Sequence, residues 1–143
     1  MRFWDSSAIV PLLVGQAASP EADRWFCADS ALAVWTLTPV EVVSALRRLA
    51  RERAIDERAA VHGETRLDEL IRTCHVVVDV ETVKAAARRL LRLHSLRAAG
   101  ALQLAAALAW SSGDPSGAVL HTLDGRLGLA ASREGFRALP DPM

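Results

Sequence analysis

Short apolar runs alternate with longer helical stretches along this chain, and that alternation restricts the fold more than any other feature. The apolar runs fall at residues 2–4, 32–37, 75–80, 118–123 and 136–139. Between them lie segments of helical pattern at 6–14, 19–29, 38–53, 56–73, 81–94, 98–111 and 125–134. Strands separated by helices call for parallel pairing, because a parallel connection needs a crossover long enough to hold a helix. The runs are β-branched and apolar with little polar alternation, as in strands buried on both faces. The expected fold is α/β, a parallel sheet flanked by helices on both faces. A length of 143 residues fits one domain spanning 1–143.

Local signals fix several helix starts. Ser19-Pro20 predicts an N-cap serine followed by proline in the first turn. Thr38-Pro39-Val40-Glu41 satisfies the capping-box pattern, with threonine as N-cap and glutamate three residues on. Trp4 and Trp35 lie on predicted strands and are expected in the core, whereas Trp25 and Trp110 fit a core or an interface equally well. Cys27 and Cys74 match no metal-ligand spacing and are expected reduced and partly buried. The four histidines are scattered, and no HExxH or CxxC pattern points to zinc.

Composition excludes some functions. Acids and bases balance at 17 each, so net charge does not announce a nucleic-acid partner. No apolar run approaches the roughly 18 residues that a membrane span needs. The N-terminus shows no basic segment leading into a long apolar one, so a cytoplasmic location is expected.

In parallel sheets the functional crevice lies at the carboxyl ends of the strands. Three acids fall just past strand ends: Asp5 after the first run, Glu41 in the helix after the second, and Asp124 after the fourth. Each has a structural reading, as a helix cap or turn residue. Together they predict a cluster of carboxylates whose mutual repulsion a divalent cation relieves. Hard oxygen ligands select Mg²⁺ or Mn²⁺, and such an ion activates water against a phosphodiester. Lys84, Arg88 and Arg92 share one helix face, with Arg97 nearby; this stripe suits RNA phosphates or simple solvation. A receiver-like reading, with Asp79 as phosphoacceptor, also wants an acidic pair after the first strand and a lysine after the last. The chain has Asp-Ser-Ser at the first place and no lysine at the second.

The order of motifs resembles a known family. An apolar run ending in Asp-Ser-Ser-Ala, a helix opening Thr-Pro-x-Glu, Ser-Leu-Arg-Ala-Ala-x-Ala-Leu-Gln-Leu, and Thr-Leu-Asp-Gly-Arg-Leu near the end are similar to the PIN domain. The set resembles in particular the toxin ribonucleases of VapBC toxin–antitoxin modules, over essentially the whole chain. The resemblance implies a PIN-like three-layer fold, a metal-dependent endoribonuclease, a VapB-like antitoxin as partner and a homodimer. It implies that Asp5, Glu41 and Asp124 are catalytic acids that hold the metal, with Ser6 and Thr122 supporting them. The family's third acid would stand where this chain has Gly100, in an alanine-rich helix where nothing nearby demands glycine. The resemblance therefore implies weakened metal binding and cleavage. The alternative reading is a catalytically silent PIN fold that still binds antitoxin or RNA.

Overall fold

A computed structural model describes residues 1–142. Five strands, β1 (Arg2–Trp4), β2 (Leu32–Trp35), β3 (His75–Val77), β4 (Val119–His121) and β5 (Arg137–Leu139), form one sheet in the order β3-β2-β1-β4-β5. All four pairings are parallel, with Phe3 opposite Ala33 on one side and Leu120 on the other. The helices are α1 (Ser6–Leu13), α2 (Ser19–Ala28), α3 (Thr38–Arg51), α4 (Glu57–Ile71), α5 (Val80–Leu93), α6 (Ala98–Trp110) and α7 (Gly125–Glu134). The three-layer α/β architecture expected from the alternation is the one observed.

Strand pleating sorts the core into two halves, because successive side chains point to opposite faces. Phe3, Ala33 and Trp35 face α5, α6 and α7, where Leu90, Leu104 and Leu127 are buried. Trp4, Leu32 and Val34 face the other way, onto α1 to α4. Helix α6 is apolar on nearly every side, and seven of its residues are buried. The chain runs from β1 outward through β2 to β3, then crosses back to β4 on the opposite side of β1. The switch point of the sheet therefore falls between β1 and β4, next to where β1 ends at Asp5.

β1 matches its apolar run, and the other four strands are shorter than theirs. β2 ends at Trp35, whose N–H donates to Thr38 Oγ1 at 3.2 Å. β3 ends at Val77 because Asp79 caps α5, accepting from the Thr82 N–H. Val78 and Val80, read as strand, are exposed. Ser19 is not an N-cap: Ala18 holds that position, and Ser19 Oγ donates to the Pro11 carbonyl at 2.8 Å, tying α2 to the end of α1. Trp4 and Trp35 are fully buried, and Trp25 joins them in the core. Trp110 is half-buried, tilted against Phe3. Cys74 is half-buried as expected, but Cys27 is exposed. Among the described residues no helix is long and apolar enough to cross a membrane.

His121, at the end of β4, is sealed between Trp4 and Trp25, with ring centroids 4.5 and 4.4 Å away. Burial lowers its pKa to about 4, and the nearby Arg2 guanidinium acts in the same direction against a weaker opposing pull from Asp29. The unfolded chain therefore takes up a proton near pH 6.5 that the folded chain refuses until about pH 4. Stability from this group is complete above pH 6.5 and is lost as pH falls to about 4. His121→Phe should flatten this part of the pH–stability profile in urea titrations; an unchanged slope would refute the assignment.

Candidate active site

The three acids sit beyond the carboxyl ends of the three central, adjacent strands β2, β1 and β4. Asp5 follows β1 directly and is 4% exposed. Its backbone N–H donates to the His121 carbonyl, so the end of β1 stays locked to β4. Three donors converge on its carboxylate. Oδ2 accepts from Ser7 Oγ (2.5 Å), Thr122 Oγ1 (2.8 Å) and the Ser7 N–H (3.3 Å). Oδ1 receives only a long contact from Ser6 Oγ, at 3.4 Å. Burial pushes the Asp5 carboxyl above the ordinary carboxylate range, and these hydrogen bonds oppose it.

Glu41 lies in the first turn of α3. The capping-box reading of this segment fails. The N-cap is Leu37, with no side-chain bond, and Thr38 Oγ1 is taken by the Trp35 N–H. Freed from capping, the Glu41 side chain turns to the sheet rim, where Oε2 accepts from Ser6 Oγ (3.0 Å) and Gln103 Nε2 (3.3 Å). Ser6 Oγ, with one proton to give, makes its shorter bond to Glu41 while standing 3.4 Å from Asp5 Oδ1. Burial raises the Glu41 pKa, and the charge on Asp5 adds to the rise.

Asp124 does cap a helix. Its Oδ1 accepts from the N–H groups of Arg126 (2.9 Å) and Leu127 (3.2 Å) at the start of α7. Its own N–H donates to Thr122 Oγ1, so one hydroxyl serves both Asp5 and Asp124. Among the described hydrogen bonds, Asp124 Oδ2 and Glu41 Oε1 have no donor, and Asp5 Oδ1 has only the long Ser6 contact. Each acid therefore keeps a hard oxygen available to a cation, held in place through its other oxygen. The donor chemistry fits Mg²⁺ or Mn²⁺. As they stand, though, no three His, Cys, Asp or Glu side chains among the described residues are drawn into one ligand group.

Two clefts open beside these acids. One, of about 430 Å³, is lined by Ser6, Glu41, Ser44 and Arg48. The other, of about 840 Å³, is lined by Arg48, Arg97, Gly100, Asp124 and Arg126. Gly100 thus lies on the wall that carries Asp124. A Cβ built on Gly100 would meet only the Leu96 side chain, at an ordinary 3.7 Å, so packing does not require glycine.

The remaining candidates separate. Arg97, the N-cap residue of α6, lines the acid cleft. Arg88 and Arg92 are exposed on α5 and line neither cleft. Asp79 is an exposed cap on an edge strand, which removes the receiver-like reading. Sequence reasoning passed over Ser7, Gln103, Arg48 and Arg126. Gln103 had a signal: it is the lone polar side chain in α6 and is 1% exposed.

Comparison with known proteins identifies the family. No family model matches the chain. Ribonuclease VapC45 and ribonuclease VapC49, from two strains of Mycobacterium tuberculosis, are each 35% identical to it over 139 residues. The match covers 96% of this chain and 94% of each relative. The chain belongs to the VapC ribonuclease family. The solved VapC20 of M. tuberculosis, described as a sarcin-ricin loop cleaving toxin, superposes with a TM-score of 0.64 at 19% identity, covering 91% of this chain and 95% of that one. PAE2754 of Pyrobaculum aerophilum gives 0.61 at 24% identity, covering 96% and 88%. These two likenesses establish the fold. It is the VapC fold that the strand-end acids and their order implied.

A folded pKa raised by burial means stability is lost as pH rises through it. Asp5→Asn keeps the shape and removes the buried charge, so the variant should be more stable at pH 7 by about 1 kcal/mol, a usual gain at functional sites. That gain should vanish below the ordinary Asp pKa of 3.8. Thermal melts at both pH values check it.

Proposed function

We propose that this chain is the toxin of a type II toxin–antitoxin pair and cleaves RNA by metal-dependent phosphodiester hydrolysis. The observation that carries the reading is the set of three acids on adjacent strand ends, each with one oxygen pinned and the other available. Asp5, Glu41 and Asp124 would hold the ion. Bound there, Mg²⁺ or Mn²⁺ offsets the clustered negative charge and supplies Lewis acidity toward a phosphodiester. Ser7 and Thr122 hold Asp5 Oδ2 and so fix where Oδ1 points. Ser6 and Gln103 do the same for Glu41 through Oε2. Glu41 would present Oε1 to the cation, on a carboxyl whose pKa burial raises in the metal-free chain. A small VapB-like antitoxin, whose tail covers the acid cleft, and assembly as a homodimer in the cytoplasm complete the reading.

Gly100 supplies no carboxylate, which favours a second reading: a weak or silent nuclease that retains binding. The experiment is an RNA-cleavage assay with Mn²⁺ titration on the wild type and on Gly100→Asp. The substitution should tighten Mn²⁺ binding and raise cleavage by at least about tenfold, the loss that even a supporting metal-site residue causes. Glu41→Gln and Asp124→Asn should abolish whatever cleavage the wild type shows. Equal activity with and without Asp at 100 would refute the missing-ligand account. RNA binding without cleavage in both proteins would establish the silent reading.

A further inference from the structure

The larger acid-side cleft carries more positive charge than negative. Arg48 enters it from α3, Arg97 from the start of α6 and Arg126 from α7, against the single carboxylate of Asp124. Among the described residues none of these guanidinium groups has an ion pair or a side-chain hydrogen bond, whereas Arg47 is paired with Glu57 and Glu64, and Arg89 with Glu134. One carboxylate offsets only one of the three charges, and among the described residues Asp124 makes no ion pair with any of them; its Oδ1 is held by the start of α7. Gly100 lies in the same cleft with room for a side chain, and no acid stands in the first turn of α6. Arg97 at the N-cap gives that turn no side-chain acceptor.

We propose that Arg48, Arg97 and Arg126 form a metal-independent phosphate subsite, which binds one or more phosphates of an RNA strand beside Asp124. Guanidinium forks match phosphate oxygens in pairs, which makes arginine the suited residue. Three of them, converging from three elements on one concavity, define a site rather than a diffuse surface. Arg48 also lines the neighbouring cleft of Ser6 and Glu41, so a strand held here runs past both acids. Glycine at 100 belongs to this arrangement: a carboxylate there would pair with the arginines and repel the phosphate. The choice of RNA as ligand rests on the ribonuclease reading above; the anion site itself does not.

The test is fluorescence anisotropy of a labelled single-stranded RNA in EDTA, titrated with salt. Arg48→Ala/Arg97→Ala/Arg126→Ala should weaken binding by about tenfold or more and reduce the salt slope by about 2, from roughly 0.7 per phosphate contact on a single strand. A control lacking Arg24, Arg58 and Arg72, three exposed arginines without ion pairs among the described residues, should bind as the wild type does. Gly100→Asp should weaken metal-free binding, opposite to its expected effect on Mn²⁺. Arg126→Ala alone, at an exposed position with no side-chain bond, should take about a third of the slope change and guards against a folding failure. Equal losses in the triple variant and the control would overturn the subsite. Displacement of RNA by polyglutamate at matched charge would reassign it to an acidic peptide. Loss of RNA binding in EDTA on the triple substitution, in a protein that never cleaves, would sink the nuclease reading and leave the subsite standing. Cleavage with unaltered binding in the triple variant would do the reverse.

Discussion

The rest of the site depends on one buried carboxylate. Asp5 ends the central strand, where β2 and β4 flank it and water is excluded. A charge there is costly unless donors surround it. Ser7, Thr122 and the Ser7 backbone supply them, and each bond fixes something further. Thr122, drawn to Asp5, receives the Asp124 N–H, so the cap of α7 is registered against the end of β1. Ser7 Oγ also accepts from the Leu123 N–H at 2.9 Å, which closes the same loop from the other side. Ser6 carries the network on to Glu41. The donors that make the burial tolerable are also what positions the neighbouring acids.

What was legible in the sequence follows from what is local. The alternation of runs specified parallel pairing, and the carboxyl-end rule then pointed to residues just beyond the strands. Strand lengths were overread because hydrophobicity does not say where a cap intervenes: Asp79 stops β3 while Val78 and Val80 go on looking like strand. Thr38 and Glu41 show the reverse problem. Their spacing fits a cap, but the hydroxyl is claimed by Trp35 and the carboxylate by Ser6 and Gln103, partners brought up by other elements. Gln103 is 62 residues from Glu41, and no local pattern links them. Arg48 and Arg126 were unmarked for the same reason, since their convergence exists only once α3 and α7 are docked.

Charge shows the same separation of local from global. The chain is neutral overall, with 17 acids and 17 bases. That balance conceals a rim where Asp5 and Glu41, kept basic by burial, and the exposed Asp124 stand beside arginines without acidic partners among the described residues. Gly100 stands where the two populations meet. Its helix is built almost wholly for packing, and a side chain at that position would touch little. Packing therefore leaves the identity of residue 100 free to be set by which charge the cleft must hold.

Sheet order also carries a message about time. The first strand made is the middle of the sheet, and one of its two neighbours is among the last. Thr122 reaches Asp5 across 117 residues of chain. At ordinary synthesis rates that interval lasts on the order of ten seconds. Until β4 is free to pair with β1, Asp5 lacks the hydroxyl that anchors it. A nascent or prematurely terminated product thus holds no acid pocket. Completion of the pocket is thus tied to the arrival of β4 beside β1.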